Sequence, residues 1–251
     1  MLKATLFGFI GGAALLIGAF LGLYFKLSKR TIALIMAFGS GVLICALSFD
    51  LMEEAYKRGG FDSVSIGFLV GALLFVVGDW LVDRKGGHYR KSIHSKRHLV
   101  KKPEHTNSSG MAIFIGALLD GIPESAAIGI GLLAGKGVGF LMLVAVFLSN
   151  LPEGISGAVS MREVKKSKGF ILLMWTGVVI ICTISAFLGY KLLGNSSQDL
   201  IAAILALAAG AILAMITDTM IPEAFDEEGK TVALITVLGF LLAFIISRLT
   251  A

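Results

Sequence analysis

The sequence has little charge, few prolines and only two cysteines. Charged residues make up 16% of the 251 positions, whereas hydrophobic residues make up 56%. A mean hydropathy of +0.88 is far above that of a soluble domain, so this balance excludes a protein whose main solvent is water. Because Cys45 and Cys182 each lie deep within an apolar run, a disulfide framework and a paired-cysteine metal site are excluded as well.

Long apolar runs are abundant. A membrane-spanning helix needs about 20 consecutive apolar residues, and eight stretches of that length occur, which we number spans 1 to 8. They cover residues 4–25, 31–52, 63–82, 110–134, 137–161, 169–193, 200–222 and 231–247. The first run is too long for a secretory signal and ends on basic residues without a cleavage site, so we interpret it as a span. The sequence therefore predicts an all-α, polytopic membrane protein.

Lysine and arginine are distributed unevenly between the two sets of loops. The loops after spans 1, 3, 5 and 7 hold 16 of the 22 basic residues. The positive-inside bias predicts that these loops are cytoplasmic and that both termini lie outside the cytoplasm. The net charge of +5 is then explained by orientation in a plasma or inner membrane, and not by nucleic-acid binding.

Residues 86–107 form the only long polar segment between spans. This predicted cytoplasmic loop separates spans 1–3 from spans 4–8 within one transmembrane domain, residues 1–251. It holds all four histidines, which are His88, His94, His98 and His105. Because lysines and arginines in and beside the loop repel a dication, we favour a solvated basic loop near lipid headgroups over a metal-binding loop, and both readings stay open.

Two pairs of spans resemble each other. Spans 4 and 5 carry LLDGIPESAAIG at 118–129 and FLSNLPEGISGA at 147–158. Spans 2 and 7 align Gly41 with Gly210 and Glu54 with Glu223. Since the members of each pair run in opposite directions, this pattern indicates an inverted repeat, which predicts a binding site near the bilayer midplane on broken helices.

Carboxylates within the spans are the strongest functional signal. An ionised carboxylate in the bilayer core costs roughly 2.5–3.5 kcal/mol on insertion scales, so it indicates a functional site by default. Asp120 and Glu124 share one face of span 4, and Asn150 and Glu153 share one face of span 5. No basic residue lies in the middle of either span to neutralise them. These residues predict a cation site, with metal ions or protons as the missing countercharge.

Each of these spans also contains a proline. Pro123 and Pro152 remove a backbone hydrogen bond and crowd the carbonyls of Leu119 and Leu148. We expect those carbonyls to become available as cation ligands.

Further acids lie near the ends of spans 2 and 7. Asp50, Glu53 and Glu54 close span 2, and Asp218 and Glu223 lie near the end of span 7. They fit an entrance and an exit of a cation pathway. The alternative, that they reach interfacial water at helix ends, is equally consistent with the sequence.

The whole chain resembles the ZIP (Zrt/Irt-like protein) family of metal transporters. Its members have eight spans, both termini outside, a histidine-containing loop after the third span and paired motifs in spans 4 and 5, often of the form His-Asn-x-Pro-Glu-Gly in span 4. The corresponding strings here are Asp120-Gly121-Ile122-Pro123-Glu124-Ser125 and Ser149-Asn150-Leu151-Pro152-Glu153-Gly154.

This resemblance implies a transport site for one or two metal ions, a homodimer and alternating access by movement of one helix bundle against another. The implied site is formed by Asp120, Glu124, Asn150 and Glu153. The resemblance also supports Glu54 and Glu223 as pathway residues.

The motifs also depart from the family pattern. Asp120 stands where the family usually has histidine, and no histidine remains in the spans. Oxygen ligands suit manganese, magnesium or calcium, whereas imidazole suits zinc, iron and copper. Zinc remains the first expectation because of the family and because it accepts carboxylates, with iron and manganese next.

The sequence therefore favours a secondary transporter for uptake of divalent metal, and not an enzyme. It has no phosphate-binding GxxxxGK[ST] loop, so transport is expected to follow a gradient or be coupled to ions, without an organic cofactor. The alternatives are a membrane metal sensor that does not transport and a membrane-embedded metal-dependent hydrolase. The hydrolase lacks support because neither a His-Glu-x-x-His string nor an intramembrane aspartyl-protease motif is present.

Overall fold

The computed structural model describes residues 1–82, 84, 106–134, 136–194 and 196–250, and all secondary structure in this part of the chain is helical. The α-helices are α1 (Leu2–Tyr24), α2 (Lys29–Ala46), α3 (Glu53–Val82), α4 (Thr106–Ala134), α5 (Lys136–Glu163), α6 (Lys168–Leu193), α7 (Gln198–Met215), α8 (Ile221–Glu228) and α9 (Thr231–Thr250). Two π-helical segments, Leu47–Met52 and Ile216–Met220, join α2 to α3 and α7 to α8. The prediction of an all-α membrane protein is confirmed.

Seven helical stretches in the described ranges are long and apolar enough to cross a membrane. One of them, Lys29–Val82, has 54 residues. A straight helix of that length would measure about 80 Å, against a hydrocarbon core about 30 Å thick. The backbone turns at Gly60 (φ 66°, ψ −166°), so this stretch contains both span 2 and span 3, and the eight predicted crossings are accounted for.

The boundary of the polar segment differs from the prediction. Helix α4 begins at Thr106, four residues before the predicted start of span 4, because the polar residues there form a first helical turn ahead of the apolar run. The four histidines of segment 86–107 lie outside the described residues.

Serine side chains begin several of the helices. Ser28, Ser167 and Ser197 precede α2, α6 and α7, and each hydroxyl accepts the backbone N–H three residues later. Such caps satisfy N–H groups that have no partner within the helix. Short polar connections are therefore sufficient to separate neighbouring spans.

The helices pack as two groups. In the first bundle α1 packs against α5 and α6, and α4 packs against α6. In the second bundle α3 packs against α7, and α2 packs against α9 and α8. Contacts of α2 with α5 and of α4 with α7 join the two bundles.

Glycines bring the backbones together within each bundle. A Cβ on Gly18 of α1 would overlap the Leu151 carbonyl of α5, and a Cβ on Gly154 would overlap the Leu15 carbonyl in return. Small residues at such contacts allow close van der Waals packing, which is the main attraction between helices in lipid.

The packing agrees with the inverted repeat. Exchanging α1 with α6, α2 with α7, α3 with α9 and α4 with α5 turns each contact pair into another observed pair: α1–α5 becomes α6–α4, and α3–α7 becomes α9–α2. The two spans exchanged in each case run in opposite directions through the bundle. The predicted pairing of spans 2 with 7 and 4 with 5 is part of this symmetry.

The repeat holds at the level of single residues. An offset of 169 positions relates Gly41 to Gly210 and Gly60 to Gly229. Gly41 lies against the backbone of α9, and Gly210 lies against the backbone of α3. Gly60 and Gly229 both have positive φ, 66° and 56°. The π-helical segments also begin at the same offset, so both halves use the same interruption followed by the same glycine turn.

We expect Gly60→Ala to destabilise the protein by about 1–3 kcal/mol, because the backbone angles of Gly60 lie in a region that is essentially restricted to glycine. Thermal unfolding of the purified protein in detergent measures the change. Gly169→Ala is the matched control, since Gly169 is helical and a Cβ there meets no atom within 4 Å. Equal melting temperatures for the two variants would contradict the assignment of Gly60 as the obligatory turn.

Candidate cation site

Polar side chains are buried where α4 faces α5. Asp120 and Glu124 lie one helical turn apart on α4 and are 2% and 0% exposed. Ser149 and Asn150 on α5 are also buried. The two spans with paired Pro-Glu motifs therefore place their polar faces inside the protein and away from lipid.

A hydrogen bond connects α5 to Glu124. The Ser149 hydroxyl donates to Glu124 Oε1 at 3.2 Å and also lies 3.0 Å from the Val146 carbonyl. Glu124 Oε2 is buried and has no hydrogen-bond partner among the described residues. The carboxylate is thus held through one oxygen while the other is available to a ligand.

Asn150 is held by the first helix. Its Nδ2 donates to the Gly11 carbonyl of α1 at 3.0 Å. This bond orients the amide, and Oδ1 is a buried acceptor with no hydrogen-bond partner in the described part of the chain. Nothing in the sequence indicates this role of α1, because a backbone carbonyl leaves no signal in residue type.

The broken helices expected with the inverted repeat are not spans 4 and 5. Helices α4 and α5 continue as α-helix through Pro123 and Pro152. The interruptions lie in spans 2 and 7 as π-helical segments, a geometry that is frequent at functional sites. The Leu148 carbonyl, which was expected to be available to a cation, lies where a Cβ added to Gly39 of α2 would be 3.2 Å away from its oxygen.

A cavity of about 40 Å³ lies beside these residues and has room for a few waters or a hydrated ion. It is lined by Met36, Ile113, Ala117, Asp120, Ser149, Glu153, Ser156, Gly157, Ser160, Trp175, Thr219, Met220 and Glu223. Three of these lining residues are carboxylic acids and four carry hydroxyl groups, and no lysine or arginine is among them. The lining is therefore suited to a cation.

The cavity is directed towards one end of the molecule. A second cavity of about 20 Å³ shares Met36, Ser156 and Glu223 with the first and reaches Lys29 and Glu227. We call this side, where the described loops after spans 1, 5 and 7 lie, the basic end. The polar path from the buried carboxylates thus leads to the basic end.

A polar stripe on α5 forms part of this path. Ser149, Glu153, Ser156 and Ser160 follow each other at spacings of four, three and four residues, which places them on one helix face. Ser156 and Ser160 were not among the residues predicted for the site. The spacing itself was the signal that would have identified them.

The opposite direction is closed by apolar side chains. Ile128 of α4 and Met142 and Val146 of α5 are fully buried in a cluster that also includes Leu43 and Leu47 of the second bundle. We call this side the far end. In this conformation the two cavities lie between the site and the basic end, and packed apolar side chains separate the site from the far end.

The carboxylates do not converge on a single point. Among the residues that the structure describes, no group of three or more His, Cys, Asp or Glu side chains is close enough to hold a metal ion. Ligation in this conformation would therefore use one or two carboxylates together with amide or hydroxyl oxygens and water.

Four acids predicted to lie along the cation pathway, Asp50, Glu54, Asp218 and Glu223, have different surroundings. Glu223 lines both cavities, whereas Asp218 is exposed and its neighbour Thr219 lines the cavity instead. Asp50 is buried within electrostatic range of Arg248 of α9. Glu54 forms an ion pair with Arg58 at 2.7 Å. Of these acids, Glu223 is the one that the structure brings to the cavity.

Comparison with known proteins identifies relatives along most of the chain. A protein named zinc transporter ZupT from Escherichia coli O7:K1 is 28% identical over 219 residues, which cover 86% of this chain and 84% of the relative. ZupT of Escherichia coli K12 gives the same identity and coverage. An Arabidopsis thaliana protein whose name describes a zinc transporter is 24% identical over 89% of this chain, but this chain spans only 35% of its length. No family model matches the chain.

We expect Ser149→Ala to lower the stability of the metal-free protein by about 1–3 kcal/mol, because buried Glu124 would lose its hydrogen bond while remaining buried. Ser48→Ala is the matched control, since the Ser48 hydroxyl donates to the Ile44 carbonyl within its own helix. Melting temperatures in detergent compare the two. If the two variants have the same melting temperature, the Ser149 hydroxyl does not hold Glu124.

Proposed function

Because the chain is homologous over most of its length to zinc transporters and shares the paired Pro-Glu motifs of the ZIP family, we propose that it is a secondary transporter of divalent metal cations, with zinc as its first substrate. The observation that carries this proposal is the cavity beside Asp120 and Glu124, whose described lining includes three carboxylic acids and four hydroxyl groups. The relatives are named as transporters and not as enzymes.

Asp120, Glu124, Asn150 and Glu153 are the proposed transport site. Among the described residues, Glu124 Oε2 and Asn150 Oδ1 are buried acceptors without hydrogen-bond partners, and Asp120 and Glu153 line the adjoining cavity. A cation at this position would supply the charge that the spans themselves lack. Zinc binds carboxylate oxygen, and an oxygen-rich shell also suits manganese, whereas iron(II) remains an expectation from the family resemblance.

The direction of the cavity fits a conformation that exchanges metal at the basic end, and uptake remains the expectation from the family resemblance. If the basic end is cytoplasmic, as the distribution of lysine and arginine predicts, the conformation described here is the one that releases metal to the cytoplasm. Loading from outside then requires the apolar cluster around Met142 and Val146 to separate. The weak contacts between the two bundles, compared with those inside each bundle, are consistent with alternating access.

The proposal also assigns roles to the acids along the pathway. Glu223 is the proposed exit residue, since it lines both cavities. Glu54, its repeat counterpart, is the proposed entrance residue, and Asp50 and Asp218 are more distant members of the pathway. A homodimer in a plasma or inner membrane, with both termini outside the cytoplasm, remains the expectation from the family resemblance and the charge distribution.

We expect Glu124→Gln and Glu153→Gln each to reduce metal influx to background, because an amide keeps the shape of the side chain but loses the charge that binds the cation. Influx into proteoliposomes is measured for zinc, iron(II), manganese, cadmium and magnesium. Glu163→Gln is the control, since Glu163 is an exposed acid at the end of the same α5 helix. Size-exclusion profiles and melting temperatures establish that the variants fold. Normal influx in Glu124→Gln would count decisively against the proposed site.

We expect Asp120→His to shift selectivity from manganese towards zinc by about tenfold, equivalent to about 1.4 kcal/mol, because imidazole is a better ligand for zinc than for manganese. Influx of one metal in competition with the other measures the ratio. An unchanged ratio would indicate that Asp120 does not contact the transported ion.

A further inference from the structure

Arg58 connects three parts of the chain at the far end. Its Nε donates to Glu54 Oε1 at 2.7 Å, its Nη1 donates to Gln198 Oε1 at 2.7 Å, and its Nη2 donates to the Leu133 carbonyl at 3.1 Å. The planar guanidinium thus uses all three of its nitrogen atoms, an arrangement that the single ammonium group of a lysine cannot reproduce.

These contacts cross the boundary between the two bundles. Glu54 and Gln198 belong to the second bundle, at the start of α3 and of α7. Leu133 lies in the last turn of α4, which belongs to the first bundle and carries Asp120 and Glu124. Carbonyls in the last turn of a helix have no partner within the helix, so Arg58 supplies a donor that the α4 terminus needs.

The adjacent ion pair has no such connection. Lys57 and Glu53 also lie four residues apart at 2.7 Å, but their side chains are 62% and 43% exposed and both belong to α3. Arg58 and Glu54 are only 17% and 18% exposed. Exposed pairs contribute little, and partly buried charged hydrogen bonds contribute more. The bonds of Arg58 to Glu54 and Leu133 are partly buried, whereas its bond to Gln198 is exposed, so the first two are the energetically important ones.

Ion pairs at the basic end have a different distribution. Lys29 pairs with Glu227 at 3.8 Å, and Arg30 pairs with Glu228 at 3.4 Å. Both pairs join α2 to α8 within the second bundle, so they move with it as a unit. The far end, by contrast, is held across the boundary by Arg58 and by the apolar cluster that includes Met142.

We propose that Arg58 is a positioning residue that acts as a latch between the two bundles and stabilises the conformation that opens to the basic end. Opening the far end moves α4 relative to α3 and α7 and therefore requires Arg58 to release the Leu133 carbonyl. The role in metal loading depends on the proposed function, whereas the latch itself can be measured without any metal.

Two reporter cysteines measure both ends in detergent-purified protein from which Cys45 and Cys182 have been removed by substitution with alanine. Met142→Cys reports on the far end, since Met142 is fully buried in the apolar cluster. Ser156→Cys reports on the basic end, since Ser156 lines both cavities. Each is placed singly in parent, Arg58→Ala, Arg58→Lys and Lys57→Ala backgrounds, and the rate of maleimide labelling is measured.

We expect Arg58→Ala to accelerate labelling at position 142 by about tenfold, as the loss of charged hydrogen bonds shifts the population, and to slow labelling at position 156. Arg58→Lys should give a smaller change of the same sign, and Lys57→Ala should match the parent. If Arg58→Ala accelerated labelling at both position 142 and position 156, the substitution would have loosened the packing in general, and the proposed latch would be overturned.

Equal rates of labelling in the Arg58→Ala and Lys57→Ala backgrounds would also overturn the proposed latch. If Arg58→Ala does not fold, Gln198→Leu, which removes one of the three acceptors, provides the same comparison with a smaller expected acceleration. The labelling experiment contains no metal, so a result that contradicts the latch does not bear on the proposed transport activity. Likewise, a negative influx experiment does not prevent the latch from being tested by labelling.

Discussion

A carboxylate within the hydrocarbon layer must be shielded from lipid and stabilised by other polar groups, and the rest of this structure depends on that constraint. Asp120 and Glu124 are buried on the inner side of α4, so α5 and α1 must approach closely enough to enclose them. The Ser149 hydroxyl and the Gly11 carbonyl are the polar groups that these neighbours contribute. The cavity beside them is lined by acids and hydroxyl groups and has room for a few waters.

Close approach of the helices is made possible by residues without bulk. In lipid there is no gain from burying apolar surface between helices, so contact depends on packing and on small residues. Glycine contacts between α1 and α5 stabilise one bundle, and those of Gly41 with α9 and Gly210 with α3 stabilise the other. Fewer contacts join the bundles. The helices therefore contact each other extensively within each bundle and less at the boundary beside the candidate cation site. This is the arrangement that the proposed change of access requires.

Counterpart residues of the inverted repeat have different surroundings at the two ends of the protein. Both halves contain a π-helical segment followed by a positive-φ glycine at the same offset, yet the residues beside these features are not the same. Glu223 lines the cavities at the basic end, while its counterpart Glu54 is paired with Arg58 at the far end. Two similar halves of opposite orientation thus place these counterpart acids in different surroundings at the two ends.

The sequence by itself determined the number of spans, their helical nature, the internal pairing and the identity of the polar residues on spans 4 and 5. These properties depend on composition and spacing along one chain segment, which hydropathy and helix periodicity report directly. Only the tertiary structure decided that the helices continue through Pro123 and Pro152, that α1 holds Asn150, and that Arg58 reaches Leu133. Those features depend on which helix faces are adjacent, and a contact between residues 75 or 139 positions apart leaves no periodic signal in the sequence.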